Sequence, residues 1–144
     1  MNYTSIIFAL LSALTAALVA VFGKIGLESI DANTATAVRS IIMALFLVTF
    51  ITIQGKFSQI SIILANRKAL SFIALSGIAG ATSWLFYFIA MKNGKASLVA
   101  PIDKLSVIIT IVFSILFLSE KVSLISGLGV IFMAGGILLV VLGQ

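Results

Sequence analysis

Asp103 and Lys104 stand side by side in an otherwise apolar run, SLVAPIDKLSVIIT at residues 97–110. A carboxylate held in a low-dielectric environment can exchange protons near neutral pH, so that a proton and a ligand compete for it. A neighbouring cation such as Lys104 instead keeps a carboxylate ionised, which suits the binding of an anionic or zwitterionic ligand. The pair therefore points to proton exchange or to ligand binding, and the residues alone leave both open.

A line of hydroxyl groups continues from Asp103 along the same segment. Ser106, Thr110 and Ser114 follow it at a 3-4-4 spacing, which places all of them on one face of a helix. Such a line is typical of a pathway or binding surface, although Ser and Thr also bond the backbone of their own helix. Asp103 and Lys104 also have a purely structural interpretation. If the helix begins at Pro101, Asp103 complements the helix dipole and Lys104 extends to the headgroups.

The composition excludes most other chemistry. The chain has 144 residues, of which 62% are hydrophobic and 9% charged, with no Cys and no His. A soluble domain of this size needs more polar surface, so we expect an integral membrane protein. Without Cys or His we expect no catalytic residues, no metal site and no cofactor. The net charge of +5 is spread singly between apolar runs, which indicates membrane anchors rather than nucleic-acid binding.

The apolar runs predict an all-α, polytopic membrane protein. A transmembrane helix needs about 20 mostly apolar residues. Five segments reach or approach that length, at residues 5–22, 34–53, 70–91, 96–118 and 122–142. The apolar segment at 58–65 is too short to cross and is predicted to be an interfacial piece or a loop.

Chain direction brings several polar residues into one layer of the membrane. The ends of spans one and three and the starts of spans two and four lie on the same side. Arg39 is about 8 Å into its span, and Trp84 and Asp103 are each about 10 Å into theirs. Ionisable groups at such depth tend to pair, so we predict a cluster of Asp103 with Arg39 or Lys104. The substrate or coupling candidates in this layer and above it are Asp103, Lys104, Arg39, Trp84, Tyr87, Ser106, Thr110 and Lys24.

Two of these candidates have an ordinary alternative role. Trp84 and Tyr87 are residue types that are enriched in the aromatic belts at membrane interfaces. Trp84 lies deeper than a belt residue usually does and shares a helix face with Gly77, which favours packing or stacking against a ligand. The sequence leaves the two roles open.

Small residues predict where helices approach each other closely, because association in lipid depends on tight packing. The packing or dimer candidates are Gly77, Gly80, Gly127, Gly129 and Gly136. Gly129 and Gly136 are seven residues apart and share a face, which suits a seam within one chain or between two copies.

The cations that flank the spans do not favour one orientation. One side of the membrane receives Lys56, Arg67, Lys68 and Lys121, and the other receives Lys24, Lys92 and Lys95. The positive-inside rule needs a clearer asymmetry. The longer connection at 54–69 could place the N-terminus in the cytoplasm, or copies could insert both ways and pair antiparallel.

Several motifs in order resemble a single EamA domain, the five-helix unit of the drug/metabolite transporter superfamily. They are GKIGLE at 23–28, ATAVR at 35–39, GKASLVAP at 94–101, FLSEK at 117–121 and a Gly-rich last span. Pro101, Glu120 and Lys121 match positions typical of the domain, whereas Asp103 and Lys104 look like features of the single-domain bacterial and archaeal branch.

The resemblance covers residues 1–144 and implies one half of a ten-helix inverted-repeat transporter. By analogy, the chain would pair with itself, possibly antiparallel, or with a paralogous half. It would move a small-molecule substrate across the cytoplasmic membrane by a gradient, and it would not be an enzyme. The alternative is a non-transporting membrane subunit that assembles with a larger partner.

Overall fold

The computed structural model describes residues 3–143, and that part of the chain is helical without strands. The helices are α1 (Tyr3–Gly26), α2 (Ala32–Ile53), α3 (Gln59–Ala65), α4 (Arg67–Asn93), α5 (Ala96–Asp103), α6 (Leu105–Leu118) and α7 (Leu124–Leu142). The chain divides into two compact units. One comprises residues 22–92, and the other comprises residues 3–21 together with 93–143.

Five stretches are long and apolar enough to cross a membrane, which confirms the predicted all-α, five-span fold. They are Tyr3–Gly26, Ala32–Ile53, Arg67–Asn93, Ala96–Leu118 and Leu124–Leu142. Most of their apolar side chains are exposed, as for Phe46 at 68% and Phe132 at 79%. Such surfaces are stable in hydrocarbon and not in water. The helix α3 has seven residues and lies outside these spans.

Two spans start where a polar side chain caps the backbone, and not where the apolar run begins. Asp31 caps α2 by accepting from the Thr34 N–H at 2.8 Å and from the Thr34 hydroxyl at 3.0 Å, so that α2 starts two residues before the predicted position 34. The bonds from Thr34 hold the pKa of the Asp31 carboxyl below its ordinary value of 3.8. The Asn66 side chain likewise accepts from the Ala69 N–H, and α4 begins at Arg67.

In the unit of residues 22–92, the buried side chains gather at one end. They come from the turn after α1, the first turns of α2 and the last turns of α4. Met91 is 1% exposed, Leu27 2%, Thr36 3% and Phe88 4%. The Thr36 hydroxyl donates to the Ala32 carbonyl at 2.7 Å, so the buried polar atom is satisfied within α2. This end of the unit carries its core.

In the other unit, α5 and α6 pack on α7, and the fourth span is broken into two helices. Pro101 lies inside α5, where it supplies no N–H to the ladder. Three residues later the Lys104 N–H donates to the Pro101 carbonyl at 3.0 Å, and the Val107 N–H donates to the Lys104 carbonyl at 3.0 Å. These tighter i to i+3 bonds separate α5 from α6. The alternative in which the helix starts at Pro101 is wrong, because α5 begins at Ala96.

The end of α6 is formed by a residue with unusual backbone geometry. Ser119 has φ 55 and ψ 29, in the left-handed region that glycine adopts more readily. The following N–H, from Glu120, donates to the Ser114 carbonyl at 3.2 Å and closes the last turn. The chain then enters α7, whose first turn is capped by the Ser123 hydroxyl.

Candidate functional site

Arg39 is the charged centre of a cluster in the unit of residues 22–92. It lies two turns into α2, and its guanidinium carbon is 3.7 Å from the centre of the Trp84 ring on α4. The same carbon is 5.3 Å from the centre of the Phe88 ring, one turn further along α4. Both distances lie within the range of cation–π attraction, so the rings stabilise a positive charge at this depth.

The rings around Arg39 also contact each other. The Trp84 ring centre is 5.5 Å from that of Tyr87 and 5.8 Å from that of Phe88, with the planes inclined at 80° and 62°. Tyr87 and Phe88 are 6.1 Å apart. Edge-to-face contacts of this kind are each worth about 0.5–1.5 kcal/mol beyond the area they bury. We call Arg39, Trp84, Tyr87 and Phe88 the arginine–aromatic cluster.

Gly23 of α1 lies against the Phe88 ring of this cluster. A Cβ atom placed on Gly23 would lie 3.3 Å from Cζ of Phe88 and 3.6 Å from its Cε1. The absence of a side chain therefore lets α1 approach the ring closely. The Phe88 ring therefore contacts α1 at Gly23 as well as the Trp84 ring and the Arg39 guanidinium.

Two lysines tie the ends of the helices together around the cluster. The Lys24 ammonium donates to the Met91 carbonyl at 2.7 Å, near the C-terminus of α4. The Lys92 ammonium donates to the Ile30 carbonyl at 2.6 Å, in the connection between α1 and α2. Both bonds run from a lysine in the last turn of one helix to a carbonyl of another segment, so the sequence alone did not indicate these partners. Lys24, predicted as a substrate or coupling candidate, is thus engaged by a structural bond.

An arginine inside a span is costly, and the rings offset part of that cost. Insertion of a charged residue at a helix centre costs about 2.5–3.5 kcal/mol on translocon scales, and less towards the interface. A cation over an aromatic face recovers about 0.5–2 kcal/mol, depending on desolvation. Within the unit of residues 22–92, the Arg39 guanidinium lies against these ring faces, and no carboxylate pairs with it. Because the rings recover less free energy than insertion of the charge costs, an anion bound to Arg39 would stabilise the charge further.

The second group of predicted residues lies in the other unit. The Lys104 ammonium is 3.2 Å from a carboxylate oxygen of Asp103, with side-chain exposures of 54% and 33%. Both residues sit at the break between α5 and α6, where the backbone is least regular. The structure brings Asp103 and Lys104 together, and the predicted pairing of Asp103 with Arg39 stays a prediction.

The hydroxyls beyond Asp103 make local bonds. Thr110 donates to the Ser106 carbonyl at 2.8 Å, and Ser114 donates to the Ile111 carbonyl at 3.0 Å. These are the within-helix bonds that Ser and Thr form readily. Each hydroxyl still has lone pairs that can accept a further bond. A role for Ser106 and Thr110 in a pathway stays a prediction.

The glycines predicted to form seams face open space within the described chain. Apart from its chain neighbours and the backbone of its own helix, a Cβ placed on Gly77, Gly80, Gly127, Gly129 or Gly136 would meet no described atom within 4 Å. Each position could thus accept a close neighbour from outside the chain. Their use in a seam between copies stays a prediction.

These observations define a multi-pass membrane protein with an arginine–aromatic cluster in one unit and an Asp–Lys pair in the other. The chain belongs to the EamA-like transporter family, whose model matches residues 3–142. The resemblance seen in the sequence motifs is confirmed.

Two curated relatives are similar to the chain. A Sinorhizobium protein named "Uncharacterized transporter in cobO 3'region" is 43% identical over 132 residues, which are 92% of each chain. A Methanocaldococcus jannaschii protein named "Uncharacterized protein MJ1333.1" is 33% identical over 79 residues, 55% of this chain and 58% of that protein. No solved structure matches the chain. Family membership and the transporter-named relative together support a transporter of the drug/metabolite type.

Proposed function

We propose that the chain is a secondary transporter that moves a small metabolite or drug-like solute across the cytoplasmic membrane by alternating access. The observation that carries this proposal is that one five-span unit of a transporter family accounts for residues 3–142. A single such unit has no inverted repeat of its own. We infer that the second half is another copy in antiparallel orientation, or a paralogous chain.

The distribution of charge supports pairing between oppositely oriented copies. Lys56, Arg67, Lys68 and Lys121 flank the spans on one side, and Lys24, Lys92 and Lys95 flank them on the other. A chain with so small a bias has little to fix its orientation during insertion. Copies inserted both ways would supply the inverted symmetry that alternating access uses.

Asp103 is the proposed coupling group. It is one of four acidic residues in the chain and lies within the Ala96–Leu118 span, beside Lys104 and next to the break between α5 and α6. Carboxylates within spans commonly mark ion and proton pathways. A helix break supplies backbone groups that can rearrange as a transporter changes its facing direction.

The experiment begins with a screen of metabolites for thermal stabilisation of the purified protein, because a bound ligand raises the melting temperature. The stabilising compound is then used for counterflow in proteoliposomes with wild type, Asp103→Asn and Glu28→Gln. Glu28 lies in the turn after α1 and serves as a matched loss of one carboxylate. We expect Asp103→Asn to abolish pH-dependent exchange and Glu28→Gln to preserve it.

Two outcomes would count against this assignment. Undiminished and still pH-dependent exchange by Asp103→Asn would remove Asp103 from the mechanism. A chain that binds no solute and co-purifies stoichiometrically with an unrelated membrane protein would instead support the non-transporting subunit.

A further inference from the structure

We propose that the arginine–aromatic cluster of Arg39, Trp84, Tyr87 and Phe88 binds an organic anion, with a carboxylate or phosphate group on the guanidinium and an apolar body against the rings. That this anion is the transported solute rests on the transporter function proposed above. The binding itself is tested separately from transport.

The first step is that no acid in the unit of residues 22–92 neutralises Arg39. The unit contains two acidic residues, Glu28 and Asp31. The Asp31 carboxylate is held by Thr34 at the start of α2, and Glu28 is exposed in the turn after α1. Within the unit of residues 22–92, no ion pair is formed by Arg39.

The second step is that the other two cations near the cluster are already engaged. The Lys24 ammonium donates to the Met91 carbonyl, and the Lys92 ammonium donates to the Ile30 carbonyl. These bonds fix the ends of α1 and α4 around the rings. Arg39 is therefore the cation of this unit that remains available to an anion at the depth of the cluster.

The third step concerns the hydrogen-bond capacity of the guanidinium. Arg39 has five N–H donors in a planar fork. Within the unit of residues 22–92 it lies against the faces of Trp84 and Phe88, which stabilise charge but give the N–H groups no oxygen acceptor. A carboxylate or phosphate fits the fork with two parallel hydrogen bonds. The cluster thus offers N–H donors of Arg39 that a carboxylate or phosphate can accept from.

The rings determine the rest of the ligand's chemistry. Trp84 and Tyr87 are partly buried, whereas Phe88 is 4% exposed. A ligand on Arg39 would meet the accessible parts of Trp84 and Tyr87, which favour apolar or aromatic groups. The anion is therefore amphipathic. A free organic acid and the phosphate of a phospholipid share this chemistry, and the experiment separates them.

Trp84 provides the readout, because it is the single tryptophan of the chain and lies against Arg39. The purified, delipidated protein is titrated with 3-phenylpropionate, and tryptophan emission is recorded. The uncharged 3-phenylpropionamide has the same shape and serves as the control ligand. We expect a saturable change in emission with the acid. We expect about 10- to 100-fold weaker binding of the amide, because hydrogen bonds to charged groups are the stronger ones.

The variants separate the guanidinium from charge in general. Arg39→Gln should lose the response, and Arg39→Lys should bind about tenfold or more weakly, because an ammonium lacks the planar fork. Arg67→Gln is the matched control, since it removes the other arginine of the chain at the exposed start of α4. It should bind as wild type does. Arg39→Lys keeps the test decisive if Arg39→Gln does not fold.

A second arm identifies the source of the anion. The titration is repeated in vesicles of phosphatidylcholine and of phosphatidylglycerol. Saturation by 3-phenylpropionate in both supports a free organic acid. A response to added phosphatidylglycerol that blocks the acid supports the anion site and assigns it to the headgroup of an anionic phospholipid.

An acid response no stronger than that of the amide, or equal in wild type and Arg39→Lys, would overturn the proposal. Anion binding without counterflow would count against transport alone, so the two failures are distinguishable.

Discussion

Gly23→Ala tests whether the Phe88 ring is held as rigidly as the arginine–aromatic cluster requires. The new methyl group would lie 3.3 Å from Cζ of Phe88, closer than ordinary carbon contacts. The ring is 4% exposed, with Trp84 and Arg39 packed on it at 5.8 Å and 5.3 Å. It therefore has little room to move away from α1.

The expected magnitude follows from two opposing effects. Adding a methyl group to a filled site typically costs about 1–3 kcal/mol. Replacing glycine by alanine within a helix recovers about 1 kcal/mol. We expect the overpacking to win, with a net loss of about 1 kcal/mol and a melting temperature lower by roughly 3 °C.

The assay is thermal unfolding of the purified protein in detergent, with Gly135→Ala as the matched control. Gly135 lies inside α7, and a Cβ there would meet no described atom within 4 Å apart from its chain neighbours and the backbone of α7 itself. The control should therefore gain about 0.5–1 kcal/mol from helix propensity alone. Adding Phe88→Leu to Gly23→Ala should remove the overpacking penalty, because leucine lacks the ring atoms that the methyl group meets. If Gly23→Ala stabilised the protein as much as Gly135→Ala does, the ring would be mobile and our description of the cluster would be wrong.

Two further predictions concern helix ends. The bonds from Thr34 lower the pKa of Asp31. Their stabilising effect is therefore present above pH 3.8 and is lost as the pH falls through the lower pKa that Asp31 has in the folded protein. Asp31→Ala should thus melt below wild type at neutral pH and equal it in strong acid, whereas Asp31→Asn keeps the cap throughout; a deficit unchanged by pH would exclude the carboxylate. Ser119→Gly should stabilise the protein by about 0.5–1 kcal/mol, because glycine adopts the left-handed backbone at the end of α6 without the strain of serine. Unchanged or lower stability in thermal unfolding would show that the serine is not strained there.

The architecture was predictable because hydropathy and span length act over many residues. Five apolar runs separated by Lys, Gly and Asn specify five crossings, whichever exact residue begins each helix. Helix ends differ from prediction by a few residues, since single bonds such as Thr34 N–H to Asp31 decide them. The break at Lys104 is also local. Pro101 favours a break in the helix because it has no N–H. The position of the break depends on which carbonyls the following N–H groups bond.

The sequence predicted how deep the site residues lie in the membrane, but not which of their side chains contact each other. Counting residues from the span ends put Arg39 and Trp84 at similar levels, and the structure places the guanidinium over the indole. Rotation of α2 and α4 about their axes decides which side chains meet, and the weak periodicity of a nearly uniform apolar helix carries little information about it. The close approach of Gly23 to Phe88 depends on the same rotation.

The most direct test of the account is the orientation of the chain in the membrane. The chain has no cysteine, so Ser29→Cys, between α1 and α2, and Ser58→Cys, between α2 and α3, each introduce a single thiol without changing the flanking charge. Both positions are exposed and lie on opposite sides of the second span. Intact cells are treated with a membrane-impermeant maleimide. An antiparallel pair of identical copies predicts labelling of roughly half the chains at both positions. Complete labelling at one position and none at the other would contradict it.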